Sequence, residues 1–361
     1  MTKKTTVAVL YGGVSGEHEV SIISASSVIK HIDRKKYSII PIGIDKKGRW
    51  HRNELANVDP LEGEKLVVQG KGAKPFSLDY FFHTPHEIEV VFPVLHGTNG
   101  EDGTMQGFLE LANVAYVGAG VLSSSLGMDK DVTKRLALQA GIKVTPYWAF
   151  TVGEWQRHAD AILEKIEQKL TYPMFAKPAN TGSSVGITKV KKPAELRAAI
   201  DNAFLYDSKA IVEQGLRVRE VELAVLENPL HGEKPLVSVP GEIITSHEFY
   251  TYEAKYLDEK SLQLIIPAQV SDSHLKELQR IASTVFELLE CRGMARVDCF
   301  IDKDTDAVVF NEINTIPGFT HVSMYPMMWQ KSGKAYPELL DNLLQLAIAR
   351  QDRKLKLKRS P

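Results

Sequence analysis

The sequence contains few of the features that mark secreted or membrane proteins. Its 361 residues include only two cysteines, Cys291 and Cys299, which are too few for a disulfide framework and indicate a reducing compartment. No segment approaches the ~18 uninterrupted apolar residues of a membrane span. The first apolar run breaks at Gly12 and Gly13 without a small-residue cleavage site, so it predicts a buried strand and not a secretory signal. We therefore expect a cytoplasmic protein that does not bind a membrane.

A strong net charge is also missing. The chain has 44 Lys and Arg against 45 Asp and Glu, a formal net charge of −1, so it lacks the overall basic footprint of a nucleic-acid-binding protein. The only basic cluster is the terminal RQDRKLKLKRSP, residues 350–361, which we interpret as a frayed, solvated tail. Nucleic acid is therefore not an expected partner.

The common nucleotide-binding motifs are absent as well. No GxxxxGK[ST] occurs, which excludes a P-loop, and the first glycine-rich turn lacks GxGxxG, which weakens a dinucleotide interpretation. Instead, Lys177 ends a predicted strand and GSSVG, residues 182–186, turns into the next one. Backbone N–H groups of such a turn can cradle phosphate oxygens, serine hydroxyls add donors, and the lysine adds a charge. An ordinary glycine-rich hairpin is the alternative for this segment taken alone.

A second glycine-rich stretch, HGTNGEDGTMQG at 96–107, follows the apolar run IEVVFPVL. Glycine allows close backbone approach, and the loops at the carboxyl ends of parallel strands are where open α/β sheets bind ligands. The alternative is a tight strand-to-helix turn in which Asp102 or Thr104 caps the next helix. The stretch by itself does not decide between the two.

The length and the order of the predicted elements indicate two or three domains. Strands and helices alternate in the first third, which predicts a parallel sheet covered by helices, with the polar residues 48–79 at its periphery. A glycine and serine turn between strands follows, and the last part is α+β with a largely antiparallel sheet. The fold class is thus α/β and α+β. We place an N-terminal α/β substrate domain at 1–120, a central domain at 121–214 and a C-terminal domain at 215–361.

The last two predicted strands carry a group of polar residues. Arg296 and Asp298 share one strand face in ARVDCFID, and Glu312 and Asn314 share one in VVFNEIN. The turn residues DKDTD between them predict a hairpin, and its register must keep the even-numbered residues together or a bulge must restore that parity. Oxygen ligands in this number suit Mg²⁺. A solvated face with an incidental salt bridge is the alternative.

Taken together, these stretches resemble the D-alanine–D-alanine ligases of the ATP-grasp superfamily. The motifs that carry the resemblance follow in order across nearly the whole chain: HGTNGEDGTMQG, MDK at 128–130, AKPANTGSSVG, EAKY at 253–256, ARVD at 295–298 and NEINTIPGFT at 311–320. The resemblance implies a three-domain ATP-grasp enzyme that closes ATP between its central and C-terminal domains. It would join two D-alanines to D-alanyl-D-alanine through an acyl phosphate, for peptidoglycan synthesis and hence cell-wall biogenesis and cell shape. It also implies ATP and two Mg²⁺ ions (or Mn²⁺) as cofactors, and we expect a homodimer.

The resemblance also implies roles for individual residues. Those expected at ATP are Lys130, Lys177, Ser183, Ser184, Glu213, Gln214, Leu216, Glu220 and Lys255, with the lysines at the phosphates and Glu213 and Leu216 around adenine and ribose. Those expected at the substrates are Glu17, His96, Arg296, Gly318 and Ser323. Catalysis would rest on Glu17, Ser183, Tyr256, Arg296 and Gly318, and the metal ions on Asp298, Glu312 and Asn314. Residues 246–256, SHEFYTYEAKY, are the candidate lid that would keep water from the acyl phosphate.

The pattern departs from the family at three places. Gln214 stands where a lysine is common, Cys299 interrupts an aliphatic strand, and THVSMYP differs from some members around the substrate carboxylate. Two alternatives remain open. One is a D-alanine–D-lactate or D-alanine–D-serine ligase, against which Tyr256 favours an amino acceptor by resemblance. The other is a noncatalytic nucleotide-binding protein, which would need neither Arg296 nor the metal face.

Overall fold

A computed structural model describes residues 3–83, 87–245, 262–320 and 322–358 of the chain. The candidate lid at 246–256, and with it Lys255 and Tyr256, lies outside the described residues. The described part forms three β-sheets with helices packed against them.

The first sheet is mixed, with strand order β4-β3-β2-β1-β5-β6. Its strands are β1 (Thr5–Gly12), β2 (Tyr37–Ile44), β3 (Trp50–Arg52), β4 (Lys74–Pro75), β5 (Val90–Pro93) and β6 (Ala115–Tyr116), and its helices are α1 (His18–His31) and α2 (Thr104–Leu111). The strands β2, β1, β5 and β6 are parallel, as expected. The residues of β1 from Val7 to Tyr11 are all fully buried, because a parallel strand is covered on both faces.

The segment 48–79 is more than a polar periphery. It supplies β3 and β4, which extend the sheet in the antiparallel sense, and it buries Val58 and Leu66 in the core beneath the sheet. The interpretation as merely peripheral is therefore wrong. Strands of two and three residues are too short to show the alternation from which a strand is predicted.

The second sheet is antiparallel, with strand order β7-β10-β8-β9. It consists of β7 (Tyr147–Thr151), β8 (Met174–Pro178), β9 (Thr188–Val190) and β10 (Lys209–Gln214), with α5 (Val152–Lys169) and α6 (Pro193–Ala203) packed on it. A capping box between Thr151 and Glu154 begins α5, which supplies hydrogen-bond partners to its first turn. The sequence predicts β8, β9, α6 and β10 but neither β7 nor α5.

The third sheet is also antiparallel, as expected, with order β14-β13-β11-β15-β16 and β12 paired to β11. Its strands are β11 (Val218–Leu226), β12 (Leu236–Val237), β13 (Gly241–Thr245), β14 (Leu262–Ile265), β15 (Met294–Asp302) and β16 (Val308–Asn314). The helix α7 (Asp272–Leu288) packs on this sheet through an apolar face that includes Leu278, Ile281 and Val285.

The helices α3 (Val121–Met128) and α4 (Lys130–Gln139) also pack on the third sheet. Ala137 and Ile142 belong to the same core cluster as α7, and Val144 bridges to Phe310 on β16. This packing joins residues 121–144 to the third sheet, whereas the sequence groups them with the second. The domain limits at 120 and 214 remain predictions.

The C-terminal helices α8 (Met324–Lys331) and α9 (Tyr336–Leu355) return to the first sheet. The interpretation of residues 350–361 as a frayed tail is wrong for Arg350–Leu355, which form the last turns of α9. Arg350 is partly buried and donates hydrogen bonds to the carbonyl oxygens of Gly118 (2.7 Å) and Tyr116 (2.6 Å). No helix in the described ranges combines the length and apolarity needed to cross a membrane.

Candidate active site

The candidate active site consists of two cavities that share a wall. The larger, about 490 Å³, lies between the second and third sheets, and the smaller, about 320 Å³, lies beside the first sheet's loops and the start of α8. The residues that line both are Glu101, Gly182, Ser183, Glu222, Glu312 and Asn314. A reactant in one cavity can therefore meet a reactant in the other at this shared wall.

Glu17 lies between the two glycine-rich loops. A Cβ atom on Gly97 would lie 2.6 Å from Glu17 Oε2, and one on Gly182 would lie 2.8 Å from it. Gly97 also has a φ of +76°, a left-handed conformation that other residues adopt only with strain. The glycines of both loops therefore make room for a carboxylate at the edge of the smaller cavity.

The first loop is also the strand-to-helix turn of the alternative explanation, because α2 begins within it. Asp102 Oδ1 accepts a hydrogen bond from Thr104 N (3.0 Å) and Oδ2 accepts one from Asn99 N (2.8 Å). The N-cap position of α2 is Gly103, whose N–H donates a hydrogen bond to Gln106 Oε1 (3.1 Å). The loop both starts a helix and faces the site.

Ser183 connects Glu17 to the second sheet, because its hydroxyl donates a short hydrogen bond to Glu17 Oε1. Ser183 and Ser184 have φ values of +46° and +60°. Non-glycine residues in this region cost free energy and are frequent in functional loops. The sequence predicts these two serines at a phosphate cradle, and both line the larger cavity.

Three lysines lie near the larger cavity. Lys130 Nζ donates to Thr181 O (2.8 Å) and lies 3.4 Å from Glu312 Oε2, and Lys177 Nζ lies 2.5 Å from Glu213 Oε2. A lysine that the sequence interpretation missed, Lys134, lies 3.0 Å from Glu213 Oε1. Its position four residues after Lys130 on α4 was the available signal, since residues spaced by four share a helix face.

Glu213 is ionised in this environment. Burial by itself would raise the pKa of its carboxyl group, but the adjacent ammonium groups of Lys134 and Lys177 outweigh that effect and lower the pKa to about 2. Burial lowers the pKa of Lys134, opposed by Glu213. The cluster therefore holds two ammonium groups around one carboxylate.

Apart from Lys255, which lies outside the described residues, the predicted ATP group lines this cavity: Lys130, Lys177, Ser183, Ser184, Glu213, Gln214, Leu216 and Glu220. Gln214 Oε1 accepts a hydrogen bond from Thr171 N (3.2 Å). That the loss of the common lysine at Gln214 is tolerable remains a prediction.

The hairpin β15–β16 brings its polar residues together. Arg296 lies opposite Asn314 and Asp298 lies opposite Glu312, and the register shifts by one residue immediately after Asp298. The pairing of even-numbered residues that the sequence predicts therefore holds up to Asp298, and the bulge follows it. Arg296 donates to both oxygens of Asp298 (2.7 Å each), and Asn314 Nδ2 donates to Asp298 Oδ2 (3.0 Å).

Glu222 is a further member of this group that the sequence interpretation missed. It lies on β11 opposite Asp298, and its Oε2 lies 3.0 Å from Arg296 Nε. Burial would lower the pKa of the Arg296 guanidinium, but Asp298 and Glu222 raise it well above its ordinary value. Arg296 is therefore a permanent positive charge at the smaller cavity.

The residues predicted for metal fit a hard divalent ion. Asp298 and Glu312 supply carboxylate oxygens and Asn314 an amide oxygen, the oxygen donors that Mg²⁺ takes together with phosphates. The described residues contain no group of three or more His, Cys, Asp or Glu side chains placed to hold a metal. Mg²⁺ is usually bound by one or two carboxylates together with substrate phosphates.

Glu101 was also missed, although it lies inside the first glycine-rich loop. Its Oε1 accepts a hydrogen bond from Gly97 N (2.8 Å). Burial, together with the nearby carboxylate of Glu17, raises the pKa of Glu101 to about 8. A carboxyl group that titrates near neutral pH is a common feature of active sites.

His96, Gly318 and Ser323 line the smaller cavity. The His96 ring is held from both sides, with Nδ1 3.1 Å from Ile316 O and Nε2 3.0 Å from Ser24 Oγ. Since a carbonyl oxygen only accepts, Nδ1 carries the proton and Nε2 accepts from Ser24. Burial lowers the pKa of His96, so the ring is a neutral part of the wall.

Ser323 is positioned by the loop that precedes α8. Its Oγ accepts a hydrogen bond from Thr320 N (2.9 Å) and lies 2.8 Å from Thr320 Oγ1. The same loop brings Gly318 close to it, since a Cβ on Gly318 would lie 2.7 Å from Ser323 Oγ. Gly318 and Ser323 thus lie side by side in the lining of the smaller cavity.

Comparison with known proteins covers nearly the whole chain. Residues 6–119 match the family model described as D-ala D-ala ligase N-terminus, and residues 136–345 match D-ala D-ala ligase C-terminus. A D-alanine–D-alanine ligase of Caldicellulosiruptor bescii is 46% identical over 99% of this chain and 99% of its own length.

Solved structures give the same result. The D-alanine-D-alanine ligase from Coxiella burnetii superposes with a TM-score of 0.83 at 37% identity, over 98% of this chain and 96% of its own. The VanG D-Ala:D-Ser ligase from Enterococcus faecalis superposes with a TM-score of 0.81 at 39% identity, over 96% of this chain and 100% of its own.

Proposed function

This chain belongs to the D-alanine–D-alanine ligase family, and we propose that its two cavities divide the reaction between ATP and the amino acids. The enzyme is an ATP-dependent ligase of ATP-grasp fold that joins two D-alanines through an acyl phosphate, for peptidoglycan synthesis. The observation that carries the division is the wall that both cavities share. Phosphoryl transfer needs donor and acceptor in contact, and this wall is where they meet.

ATP occupies the larger cavity in this proposal. Lys130 and Lys177 contact its phosphates, with Ser183 and Ser184 as further donors. Glu213, Gln214 and Leu216 lie around the adenine and Glu220 at the ribose. Lys255 is assigned to ATP by resemblance alone, because it lies outside the described residues.

The metal ions belong at the shared wall. Asp298, Glu312 and Asn314 would hold two Mg²⁺ ions, or Mn²⁺, together with phosphate oxygens. The chemistry that the ions supply when bound is neutralisation of charge on the phosphates.

The amino acids occupy the smaller cavity. Glu17 receives the ammonium of the first D-alanine, with His96 as part of the wall. A carboxylate oxygen of this D-alanine attacks the γ-phosphorus of ATP, the bond from that phosphorus to the bridging oxygen breaks, and ADP leaves. The product of this step is an acyl phosphate.

The second D-alanine attacks this acyl phosphate as a free amine. Its nitrogen bonds to the carbonyl carbon, the oxyanion of the tetrahedral intermediate faces Arg296 and the amide of Gly318, and inorganic phosphate leaves. Ser323 holds the carboxylate of the second D-alanine. The proton lost by the amine leaves with the inorganic phosphate. The roles of Tyr256 and of the lid at 246–256 remain predictions.

Two further expectations are part of the proposal. A peptidoglycan precursor made with ATP belongs in the cytoplasm, and we propose that the enzyme works there. We also propose a homodimer, on the resemblance alone. Size-exclusion chromatography with light scattering distinguishes a dimer from a monomer of 40.2 kDa.

The test of the function is phosphate release from ATP with a panel of acceptors. We expect release with D-alanine alone and product of the mass of D-alanyl-D-alanine, with slower turnover when D-serine or D-lactate competes. Dipeptide formed mainly with D-serine would instead identify the specificity of the VanG relative. An absence of phosphate release with every acceptor would contradict the proposal and favour the noncatalytic alternative.

A further inference from the structure

Lys134 is a fully buried lysine that the roles above leave unused. Its side chain is 0% exposed, and it is not among the residues that line either cavity. An unpaired buried ammonium is expensive, and apolar residues of similar volume often replace buried ion pairs without loss of stability. A charge kept at such a position calls for a reason other than packing.

The contacts of Lys134 give that reason. Its Nζ lies 3.0 Å from Glu213 Oε1, while Lys177 Nζ lies 2.5 Å from Glu213 Oε2. Within the described part of the chain, no atom meets hydrogen-bond geometry with the Lys134 ammonium, so its action on Glu213 is mainly electrostatic. Lys177 and Glu213 lie on the same face of the second sheet, because Lys177 pairs with Ile211, two residues before Glu213 on β10.

The charges of this cluster decide what an incoming phosphate meets. Two ammonium groups and one carboxylate leave a net charge of +1, and only Lys177 of the two lysines lines the larger cavity. Without Lys134, Lys177 and Glu213 would form a neutral pair, and a phosphate would have to compete with Glu213 for Lys177. With Lys134 present, the negative charge of Glu213 is already balanced by the ammonium group of Lys134 on its buried side.

We propose that Lys134 is a positioning residue that holds the charge of Glu213 from the buried side and so keeps the charge of Lys177 available to nucleotide phosphates. The inference rests on the proposed role of Lys177 at the phosphates. It predicts that Lys134 influences phosphate binding without touching the nucleotide, and that this influence disappears when Glu213 carries no charge.

The test compares Lys134→Met with the double variant Lys134→Met/Glu213→Gln. Methionine keeps the length and apolar stem of lysine and removes its charge. In the double variant Lys177 is the only charge of the cluster, and the net charge is again +1, as in the wild type. Because Glu213 is also proposed at the adenine, the probe is Mg²⁺-tripolyphosphate, which has no base, measured by its inhibition constant against ATP. Lys209→Met is the matched control. Lys209 lies on β10, as Glu213 does, and forms ion pairs with Asp129 and Asp131 at the start of α4, but it does not line the cavity.

We expect Lys134→Met to raise the inhibition constant tenfold or more and to raise the KM for ATP more than it lowers kcat. The double variant should return the inhibition constant to within threefold of the wild type, and the control should stay within threefold as well. A purely structural role for Lys134 predicts no such recovery. If Lys134→Met leaves tripolyphosphate binding unchanged, or if the double variant does not recover, the inference is overturned.

Two further measurements keep the result interpretable. If Lys134→Met does not fold by circular dichroism, the double variant alone decides, since the one charge left in its cluster is Lys177, which lines the cavity: binding within threefold of the wild type supports the inference, and weaker binding overturns it. Lys177→Ala separates this inference from the proposed function. Unchanged ATP affinity in Lys177→Ala contradicts the phosphate role itself, whereas a loss there with none in Lys134→Met overturns only the role of Lys134.

Discussion

The carboxylate of Glu17 occupies a space that exists because two neighbouring residues have no side chain. Gly97 belongs to the first sheet's loop and Gly182 to the second sheet's loop, and a Cβ on either would lie within 2.8 Å of Glu17 Oε2. The hydroxyl of Ser183 bonds to the same carboxylate. Three residues of two loops therefore set the position of one charge at the edge of the smaller cavity.

The first prediction at this scale concerns Gly97→Ala. The new methyl group would push the Glu17 carboxylate away from the smaller cavity, and we expect the KM for the first D-alanine to rise at least tenfold. Gly141→Ala is the control, because Gly141 has a similar φ of +72° but no atom within 4 Å of its would-be Cβ. Both variants should lose about 1–2 kcal/mol of stability through backbone strain. Equal KM values in the two variants would show that Glu17 does not depend on Gly97.

The second prediction concerns the pH dependence of stability through Glu101. Its pKa is raised to about 8 in the folded protein, so between about pH 4.5 and pH 8 the folded state keeps a proton that the unfolded chain has lost. Stability contributed by this group is therefore present at low pH and falls as the pH rises, by at most about 1.4 kcal/mol per pH unit. Glu101→Gln should remove that fall.

The measurement is the difference in urea midpoint between wild type and Glu101→Gln from pH 5 to pH 9. We expect the variant to gain on the wild type up to about pH 8 and the difference to level off above it. A difference that is constant with pH would mean that Glu101 titrates at its ordinary pKa.

At the scale of elements, the hairpin β15–β16 and the helix α9 show opposite outcomes of sequence interpretation. The hairpin was predictable, because alternation fixes which residues share a face and Asp298 does pair with Glu312. The end of α9 was not, because its basic composition is typical of a solvated tail. Arg350 instead finds carbonyl partners on Tyr116 and Gly118, which are distant in sequence, and no local pattern contains that information.

The third prediction follows from this contact of α9. Arg350→Ala removes two hydrogen bonds from a charged donor and leaves the carbonyl oxygens of Tyr116 and Gly118 without it, so we expect a loss of about 2–4 kcal/mol in the free energy of unfolding. Arg353→Ala, on the partly exposed face of the same helix, should lose less than about 0.5 kcal/mol. Denaturant unfolding measures both. Equal losses in the two variants would show that the contacts of Arg350 do not stabilise the end of α9.

At the scale of the whole molecule, the cores explain how the two cavities arise. One core cluster joins the first sheet to the near end of the third sheet through α8 and α9, for example Val9, Met294 and Leu343. The second sheet has a core of its own that includes Ile166 and Ile200. The larger cavity lies between the second sheet and the third sheet, whose own core cluster includes Val221 and Cys299, and the smaller lies against the first cluster.

Much of this arrangement could be predicted from the sequence, and the parts that could not have physical reasons. The glycine and serine turns and the polar hairpin residues Arg296, Asp298, Glu312 and Asn314 were predicted from local patterns, whereas the roles of Glu17, Gly318 and Ser323 came only from the resemblance. Lys134, Glu222 and Glu101 were missed because burial beside particular charges arises only when the sheets assemble. The edge strands β3 and β4 were missed because they are too short to alternate.

The most direct test of the central claim, ligation through an acyl phosphate, follows the carboxylate oxygens of the substrate. The enzyme is given ATP and D-alanine labelled with ¹⁸O in both carboxylate oxygens, and the inorganic phosphate is analysed by mass spectrometry. Because a carboxylate oxygen of the first D-alanine attacks the γ-phosphorus and leaves with it, each phosphate should carry one ¹⁸O atom, and the dipeptide should retain the other three. Unlabelled phosphate formed together with dipeptide would contradict the acyl phosphate and with it the proposed division of the two cavities.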